Sequence, residues 1–183
     1  PYEDPRSRFL LDDARSALAS STDRYDLIFS EPSNPWVSGV ASLFTVQFYE
    51  RVRDRLAPGG VFGQWFHLYE MEDRLLLSVL AGIDATFTDW SAWQVGSGDV
   101  LIVASMDSLP KPDWSVAADP GIAADLSMAP RLSAGSLASL FLFDRRVMGP
   151  LLADWPRNTD YQPILDEGAE RARYLKKAAT DRK

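Results

Sequence analysis

The sequence predicts an α/β domain built on a mostly parallel β-sheet, and three observations lead to this prediction. Apolar, β-rich runs alternate three times with stretches whose apolar residues recur at helical spacing. Short turns join these elements, which implies right-handed crossovers and parallel strands. Two further β-rich runs then favour an antiparallel pair that closes the sheet.

The first strand and helix are predicted from residues 8–20. Residues 8–11 (RFLL) favour a short buried strand, and the acidic turn Asp12-Asp13 follows them. The segment ARSALAS then places its apolar residues on one helical face, which predicts a short helix. Asp13 directly precedes this helix, where aspartate is among the preferred N-cap residues.

The second unit begins with residues 25–30 (YDLIFS), a β-rich run that ends at a loop with two prolines. A helix follows, because apolar residues recur every fourth position from Phe44 to Leu56 while charged residues occupy the other face. Thr45 is its predicted N-cap. The sequence APGG at 57–60 is predicted to end it.

The third unit begins with residues 61–66 (VFGQWF), a further predicted strand. From Leu76 to Ile83, apolar residues fall at positions i, i+3, i+4 and i+7, which predicts a helix. Residues 85–93 and 99–105 then favour an antiparallel pair joined through VGSG. The sheet is expected to end there.

Two regions are assigned along the chain. Residues 1–109 form the α/β domain, and residues 110–183 form a helical C-terminal extension that packs on it, since prolines recur there among short helical patches. The chain opens without a methionine or a signal peptide and reaches strand-like sequence almost at once. This opening favours a segment of a longer protein.

The composition excludes several classes of function. A net charge of −7 argues against a nucleic-acid-binding surface. The chain has no cysteine, which excludes disulfides, thiolate zinc sites and cysteine nucleophiles. A single histidine, His67, argues against a zinc cluster, so no metal site is predicted. No apolar run approaches the roughly 18 residues of a membrane span.

Polar residues follow each of the three predicted strands. They are Asp12 with Asp13, Glu31 with Asn34, and the stretch 64–67, which contains Gln64 and His67. Ligands bind beyond the carboxyl ends of parallel strands, where loops converge. We therefore expect these side chains to share one site at one edge of the sheet.

The loop after the second strand, FSEPSNPWVSG, is the most informative part of this site. Each proline pushes the residue before it towards extended conformations, so Glu31 and Asn34 lose less freedom on binding a ligand. Trp36 offers an aromatic face to a cation or a flat ring. Gly39 allows a close approach of the backbone.

Structural roles are the alternative interpretation of each residue. Asp13 can serve as a helix cap alone, and the prolines can simply end a strand. Trp36 can fill the core. A lone histidine such as His67 is more often a hydrogen-bonded structural residue than a catalyst.

Several blocks of sequence resemble one known family. They are DPRSRFLLDDAR at 4–15, the long block from YDLIFSEPSNPW to APGGVFGQW at 25–65, DVLIVAS at 99–105 and NTDYQP at 158–163. Together they resemble the spermidine synthase family, the polyamine aminopropyltransferases. The resemblance is strongest to the spermidine-synthase-like domains of larger bacterial proteins, some of which are fused to membrane segments.

The resemblance implies a Rossmann-like sheet of the S-adenosylmethionine-methyltransferase type. Its N-terminal strands and glycine-rich loop would precede residue 1. The implied reaction is aminopropyl transfer from decarboxylated S-adenosylmethionine, a co-substrate that is not permanently bound, to a polyamine in polyamine biosynthesis. Relatives commonly form homo-oligomers. The implied location is cytoplasmic, either free or as the cytoplasmic domain of a membrane protein.

The resemblance also implies roles for individual residues. Asp13, with Asp12 beside it and Ala14 through its backbone, would hold the adenine of the nucleoside. Glu31 would deprotonate the attacking amine as the catalytic residue. The substrate would be bound by four further side chains: Asn34, Trp36, Gln64 and Trp93. Either Trp93 or Trp90 lies near the position of a tyrosine that lines the diamine pocket in the family.

Two of these residues depart from the family pattern, Asp-x-x-Asp-Pro. Glu31 is one methylene longer than the first aspartate, and Asn34 carries no charge where the second aspartate does. Two alternatives therefore stay open. One is methyl transfer, since Asn34-Pro35-Trp36 is faintly similar to a signature of amino-group methyltransferases. The other is a non-catalytic nucleoside- or polyamine-binding domain of a membrane protein.

Overall fold

The computed structural model describes residues 4–37, 39–69, 71–127 and 133–174. The helices are α1 (Ala14–Ser20), α2 (Val46–Arg55), α3 (Asp73–Thr86), α4 (Pro120–Ser127), α5 (Ala134–Ala138), α6 (Arg145–Leu152) and α7 (Ile164–Tyr174). The strands are β1 (Tyr25–Ser30), β2 (Leu56–His67), β3 (Asp89–Val95), β4 (Asp99–Ser105) and β5 (Phe141–Asp144). Two 3-10 helices, Val40–Phe44 and Trp114–Ala118, lie in the connections.

The strands form one sheet in the order β1-β2-β4-β3-β5. β1 and β2 are parallel, and the other three pairings are antiparallel. The α/β class and the closing hairpin, β3 with β4, are confirmed. The parallel part of the described sheet is smaller than predicted, since only one pair of strands belongs to it.

The predicted strand at 8–11 is absent from the described sheet. These residues lack regular secondary structure, and Phe9 and Leu10 are 68% and 75% exposed. A strand is held by ladder hydrogen bonds to a neighbour, and no described strand pairs with this run. Its apolar composition alone therefore does not make it a strand here.

The core lies between one face of the sheet and helices α2 and α3. α2 buries Phe48 and Val52 of the predicted apolar stripe and also Tyr49, which the stripe did not include, and α3 buries Val79 and Ile83. Thr45 is the N-cap of α2, since its hydroxyl oxygen accepts a hydrogen bond from the amide of Phe48 at 3.3 Å. Both predictions follow from helical periodicity and capping.

Strand β2 is longer than predicted and includes the APGG turn. Leu56 already pairs with Tyr25, and a register irregularity follows before Leu27 pairs with Val61. Gly59 adopts a left-handed φ of 74°, which glycine reaches without strain. The turn residues therefore form an irregular start of the strand.

The alternation of side chains along the strands gives the sheet two distinct faces. On β2, Phe62, Gln64 and Phe66 are buried towards α2 and α3, whereas Trp65 and His67 lie on the opposite face. The register aligns Gln64 with Ile102 of β4, and Ile102 with Ala92 of β3. Neighbouring residues of β3 therefore alternate between these faces as well.

The C-terminal part of the chain contributes to both the sheet and the core. β5 pairs with β3 at the edge of the sheet, a strand where helical segments were expected. Its run FLFD meets the edge of β3, which supplies the ladder that a short strand needs. Leu152 and Leu165 are buried against α3 and its neighbours. The boundary between residues 109 and 110 stays a prediction.

The motif NTDYQP ties several helices together. The buried Asn158 donates to the carbonyl of Phe44 at 2.9 Å and accepts from the amide of Leu165 at 3.0 Å. Asp160 accepts from Arg15 of α1 at 2.9 Å and from the hydroxyl of Thr45 at 2.8 Å. The motif therefore fixes the segment that follows β1 against α1 and α7.

Candidate active site

The candidate site lies where β1 and β2 end side by side. Ser30, the last residue of β1, pairs with Gln64 of β2. Its carbonyl accepts a hydrogen bond from Gln64 Nε2 at 3.3 Å. Farther along the loop, the hydroxyl of Tyr69 donates to Asn34 Oδ1 at 2.6 Å. The loop after β1 is thus tethered at two points to the end of β2.

Gln64 is fully buried and has one unsatisfied atom. Its Nε2 donates to two backbone carbonyls, those of Ser30 and Trp65, at 3.3 and 3.0 Å. This arrangement fixes the direction of the amide, because only the NH₂ group can face two acceptors. The oxygen, Oε1, is buried without a hydrogen-bond partner in the part of the chain that the structure describes. Leaving such an acceptor unpaired costs about 1–3 kcal/mol, which an N–H donor from a ligand would offset.

Glu31 supplies a carboxylate at the start of the loop after β1. It is the first residue after β1, directly beyond the carbonyl that Gln64 binds. Its side chain is exposed, and no described residue forms a hydrogen bond or an ion pair with it. A cationic group at this edge of the sheet would therefore meet an accessible negative charge.

Asn34 and Trp36 are brought together by Tyr69, which sequence reasoning missed. Trp36 packs edge-on against the Tyr69 ring, with the ring centroids 5.8 Å apart, and it also packs against the core. Tyr69 lies two residues beyond the end of β2, and no local pattern marks it as a partner of Asn34. Trp36 is half-buried, so the structural interpretation accounts for part of its surface.

His67 is paired with a carboxylate. Its Nδ1 lies 2.6 Å from Oδ1 of Asp99, across the β2–β4 ladder in which these two residues are also directly paired. The His67 ring centroid is 5.1 Å from that of Tyr69. Asp99 was not predicted as a site residue. The signal for it was only its position at the start of the second hairpin strand, opposite the end of β2.

The predicted nucleoside-binding residues lie at the start of α1. Asp13 is its N-cap, and Oδ1 accepts from the amide of Ser16 at 2.9 Å, which lowers the pKa of this carboxyl. Asp12 accepts from the amide of Asp13 at 2.8 Å. Both side chains and Ala14 are exposed. The capping role is thus present, and the adenine-binding role of all three stays a prediction.

Arg15 connects the start of α1 to the loop that carries Glu31. Its guanidinium donates to the carbonyl of Ser42 at 3.3 Å and to Asp160. Ser42 lies in the 3-10 helix Val40–Phe44, which ends just before α2. Asp13 and Glu31 therefore stand on segments that are held together, although no described contact joins the two carboxylates directly.

Trp93 is separated from the other predicted substrate-binding residues. Since Ala92 shares a face with Gln64, Trp93 points to the opposite face of the sheet. There its ring contacts Trp114 and Phe141, with centroids 5.6 and 5.3 Å away, and it lines a cavity of about 910 Å³. Trp90 faces the core and is fully buried. Trp93 therefore lies on the face opposite Gln64, and Trp90, although it lies on the same face as Gln64, is enclosed in the core.

Neither a metal nor a membrane segment is indicated by the described residues. In residues 4–37, 39–69, 71–127 and 133–174, no three His, Cys, Asp or Glu side chains cluster as metal ligands do. The helices in these ranges are also too short or too polar to cross a bilayer.

Known proteins with similar sequences were found among the curated transferases. A polyamine aminopropyltransferase of Klebsiella pneumoniae is 41% identical over 61 residues, which are 33% of this chain and 21% of that protein. Polyamine aminopropyltransferase 1 of Pseudomonas aeruginosa is 29% identical over 93 residues, or 51% of this chain and 32% of that protein. Over these segments the chain is similar in sequence to the polyamine aminopropyltransferases. An Escherichia coli polyamine aminopropyltransferase is 38% identical over 61 residues.

The relationship covers only part of these aminopropyltransferases. The matches span about a fifth to a third of the length of the curated relatives, between 21% and 32%. No protein-family model matches the chain. Among solved structures, MnmC2 from Aquifex aeolicus aligns with 89% of this chain and 44% of its own, at a TM-score of 0.43 and 19% identity.

Proposed function

We propose that this chain is part of an enzyme that transfers an aminopropyl group from decarboxylated S-adenosylmethionine to an amine. The resemblance implies a polyamine as the acceptor. The observation that carries the proposal is Oε1 of Gln64, a buried acceptor without a donor among the described residues; Gln64 pairs with Ser30, which directly precedes the exposed Glu31. An amine supplies both the N–H donor and the positive charge that these two groups lack.

The chemistry assigns distinct roles to these groups. The amine nitrogen forms a bond to the methylene carbon beside the sulfonium, and the bond from that carbon to sulfur breaks with its electron pair left on sulfur. The amine loses one proton, which the carboxylate of Glu31 accepts. Gln64 orients the nitrogen through its oxygen. Asp12, Asp13 and Ala14 are proposed to hold the adenine at the start of α1.

The proposal predicts a large loss of rate when Glu31 loses its charge. Full-length protein is incubated with decarboxylated or carboxylated S-adenosylmethionine and an amine, and the products are identified by mass spectrometry. We expect an aminopropylated amine from the decarboxylated donor, and a kcat lower by about 10²-fold or more in Glu31→Gln. Glu50→Gln, on the exposed side of α2, is the matched control and should leave the rate unchanged.

The same experiment separates the alternative functions. A methylated product from the carboxylated donor alone would establish methyl transfer in place of aminopropyl transfer. If the protein binds the nucleoside or the amine but forms no product, the remaining hypothesis is a non-catalytic binding domain. Full activity in Glu31→Gln would show that Glu31 is not the group that accepts the proton.

A further inference from the structure

The loop after β1 presents one carboxylate and one neutral amide, and the direction of the amide is set. Asn34 Oδ1 accepts the hydroxyl proton of Tyr69 at 2.6 Å. Its NH₂ group therefore keeps both N–H donors for a ligand, and Oδ1 keeps its second lone pair. Within the described residues, no hydrogen bond from this NH₂ group is present. Asn34 thus offers donors and no negative charge.

A series of contacts holds Tyr69 in this position. The Trp36 ring packs edge-on against it at 5.8 Å, and the His67 ring lies 5.1 Å away on another side. His67 is in turn held by Asp99 at 2.6 Å. The carboxylate of Asp99 is therefore engaged, and among the described groups it does not offer a free charge to a ligand.

These contacts disfavour a second ammonium group at Asn34. An ammonium has three N–H donors and no acceptor, so it would share Oδ1 with the hydroxyl of Tyr69 and leave the NH₂ group of Asn34 without an acceptor. Removing a charge from water without an opposite charge or acceptors is costly. An oxygen acceptor at the same place would instead receive the N–H groups of Asn34.

We infer that the amine bound by this site ends, at Asn34, in a hydrogen-bond-accepting oxygen and not in a second ammonium group. The inference rests on the proposed function and narrows its acceptor from a polyamine to an amine with a distal carboxylate or amide. Glu31 and Gln64 bind the reacting nitrogen of such an acceptor. Asn34, whose amide is oriented by Tyr69, binds the oxygen at the other end of the acceptor.

The test compares amines whose carbon chains have the same length but whose distal groups differ. Full-length protein is titrated by calorimetry with 1,4-diaminobutane, 4-aminobutanoate and 4-aminobutanamide, and each is then assayed for aminopropyl transfer. We expect at least one oxygen-bearing amine to bind roughly tenfold more tightly than the diamine, the size of effect that one hydrogen bond to a charged or polar group produces. The carboxylate and amide probes show which oxygen is preferred.

The single histidine of the chain, His67, gives a second readout that does not depend on activity. Its ring signals in ¹H–¹⁵N spectra should shift when the preferred amine binds, because Tyr69 contacts both His67 and Asn34. Unchanged His67 signals with bound amine would place the ligand elsewhere and overturn the inference.

Two variants test the role of the amide. Asn34→Asp, of nearly the same shape, should reverse the preference in favour of the diamine, since it restores a negative charge. Tyr69→Phe removes the hydroxyl that orients the amide while the ring remains, and should reduce the discrimination. Gln94→Glu adds the same charge at an exposed position of β3 and should leave the preference unchanged.

The outcomes separate this inference from the function on which it rests. If 1,4-diaminobutane binds best and is aminopropylated, the inference is wrong and the proposed function stands. If an oxygen-bearing amine binds best but no donor transfers an aminopropyl group to it, the inference stands and the proposed function is wrong. Absence of binding by all three amines, or an unchanged preference in Asn34→Asp, would overturn the inference.

Discussion

At the scale of single residues, the chain contains buried polar atoms with opposite consequences. Oε1 of Gln64 is buried without a partner among the described residues, and Gln64 pairs with Ser30, which precedes Glu31, so a ligand donor is proposed for this oxygen. The hydroxyl of Tyr49 lies in the core between α2 and the sheet, also without a hydrogen-bond partner among the described residues. Burial raises the pKa of Tyr49 well above its usual value, because the ionised form would be poorly solvated there. The oxygen of Gln64 therefore points to a ligand site, whereas the hydroxyl of Tyr49 only lowers the stability of the fold.

Tyr49→Phe is therefore expected to leave the free energy of unfolding unchanged or to raise it by up to about 1 kcal/mol. The substitution removes a desolvated hydroxyl and keeps the ring, which contacts Phe62 and Phe87. Urea denaturation measures the effect. Tyr49→Ala is the comparison and should lower the unfolding free energy by about 3–5 kcal/mol. A clear loss of stability in Tyr49→Phe would mean that the hydroxyl has a partner in solution.

At the scale of elements, Asp160 joins the C-terminal motif to α1 and to the start of α2. Its carboxylate is bound by Arg15 and by the hydroxyl of Thr45. The hydrogen bond from Arg15 is the main cause of the lowered pKa of Asp160, with burial acting in the opposite direction. A carboxyl whose pKa is lower in the folded state stabilises the fold at pH values above its usual range. That contribution is lost as the pH falls through the folded-state value.

Asp160→Asn should consequently destabilise the protein in a pH-dependent way. At pH 7 we expect a loss of about 1 kcal/mol, a small value because the pair is partly exposed to solvent. At a pH below the lowered folded-state pKa of Asp160, wild type and variant should converge, because the wild-type carboxyl is then protonated in the folded state as well. Urea denaturation at both pH values measures the difference. Asp154 is an exposed acid without a described partner, so Asp154→Asn should show no such change. A stability difference between wild type and Asp160→Asn that persists at low pH would show that the ionised carboxyl of Asp160 is not its cause.

At the scale of the whole molecule, the face of β1 that points away from α2 and α3 is apolar and partly exposed. Leu27 and Phe29 are 62% and 48% exposed, and Tyr25 lies on the same face. β1 is also an edge strand of the described sheet. Exposed apolar strands at a sheet edge promote association between molecules.

The isolated 183-residue chain is accordingly expected to self-associate. Leu27→Lys places a charge on the exposed face and should shift the protein towards monomers, as measured by sedimentation velocity over a range of concentrations. Val147→Lys, on an exposed position of α6, adds the same charge elsewhere and should have little effect. A chain that stays monomeric at all concentrations would show that this face does not drive association.

The sequence by itself determined the features that depend on neighbouring residues. Helical periodicity identified the buried faces of α2 and α3, and the capping preferences of Asp13 and Thr45 placed two helix starts correctly. The β-rich runs at β1, β2 and β4 were also recognised, because a strand that is buried on one or both faces needs apolar residues. These signals lie within a few positions along the chain, so no tertiary information is needed to read them.

Only the tertiary structure decided which distant residues meet. Tyr69 binds Asn34 across 35 positions, and His67 binds Asp99 across 32. The register of β2, β4 and β3 put Trp93 on the face opposite Gln64, since a shift of one residue exchanges the two faces of a strand. Residues 8–11 were expected to form a strand from composition, yet a strand requires a partner, and whether one is present is a property of the assembled sheet.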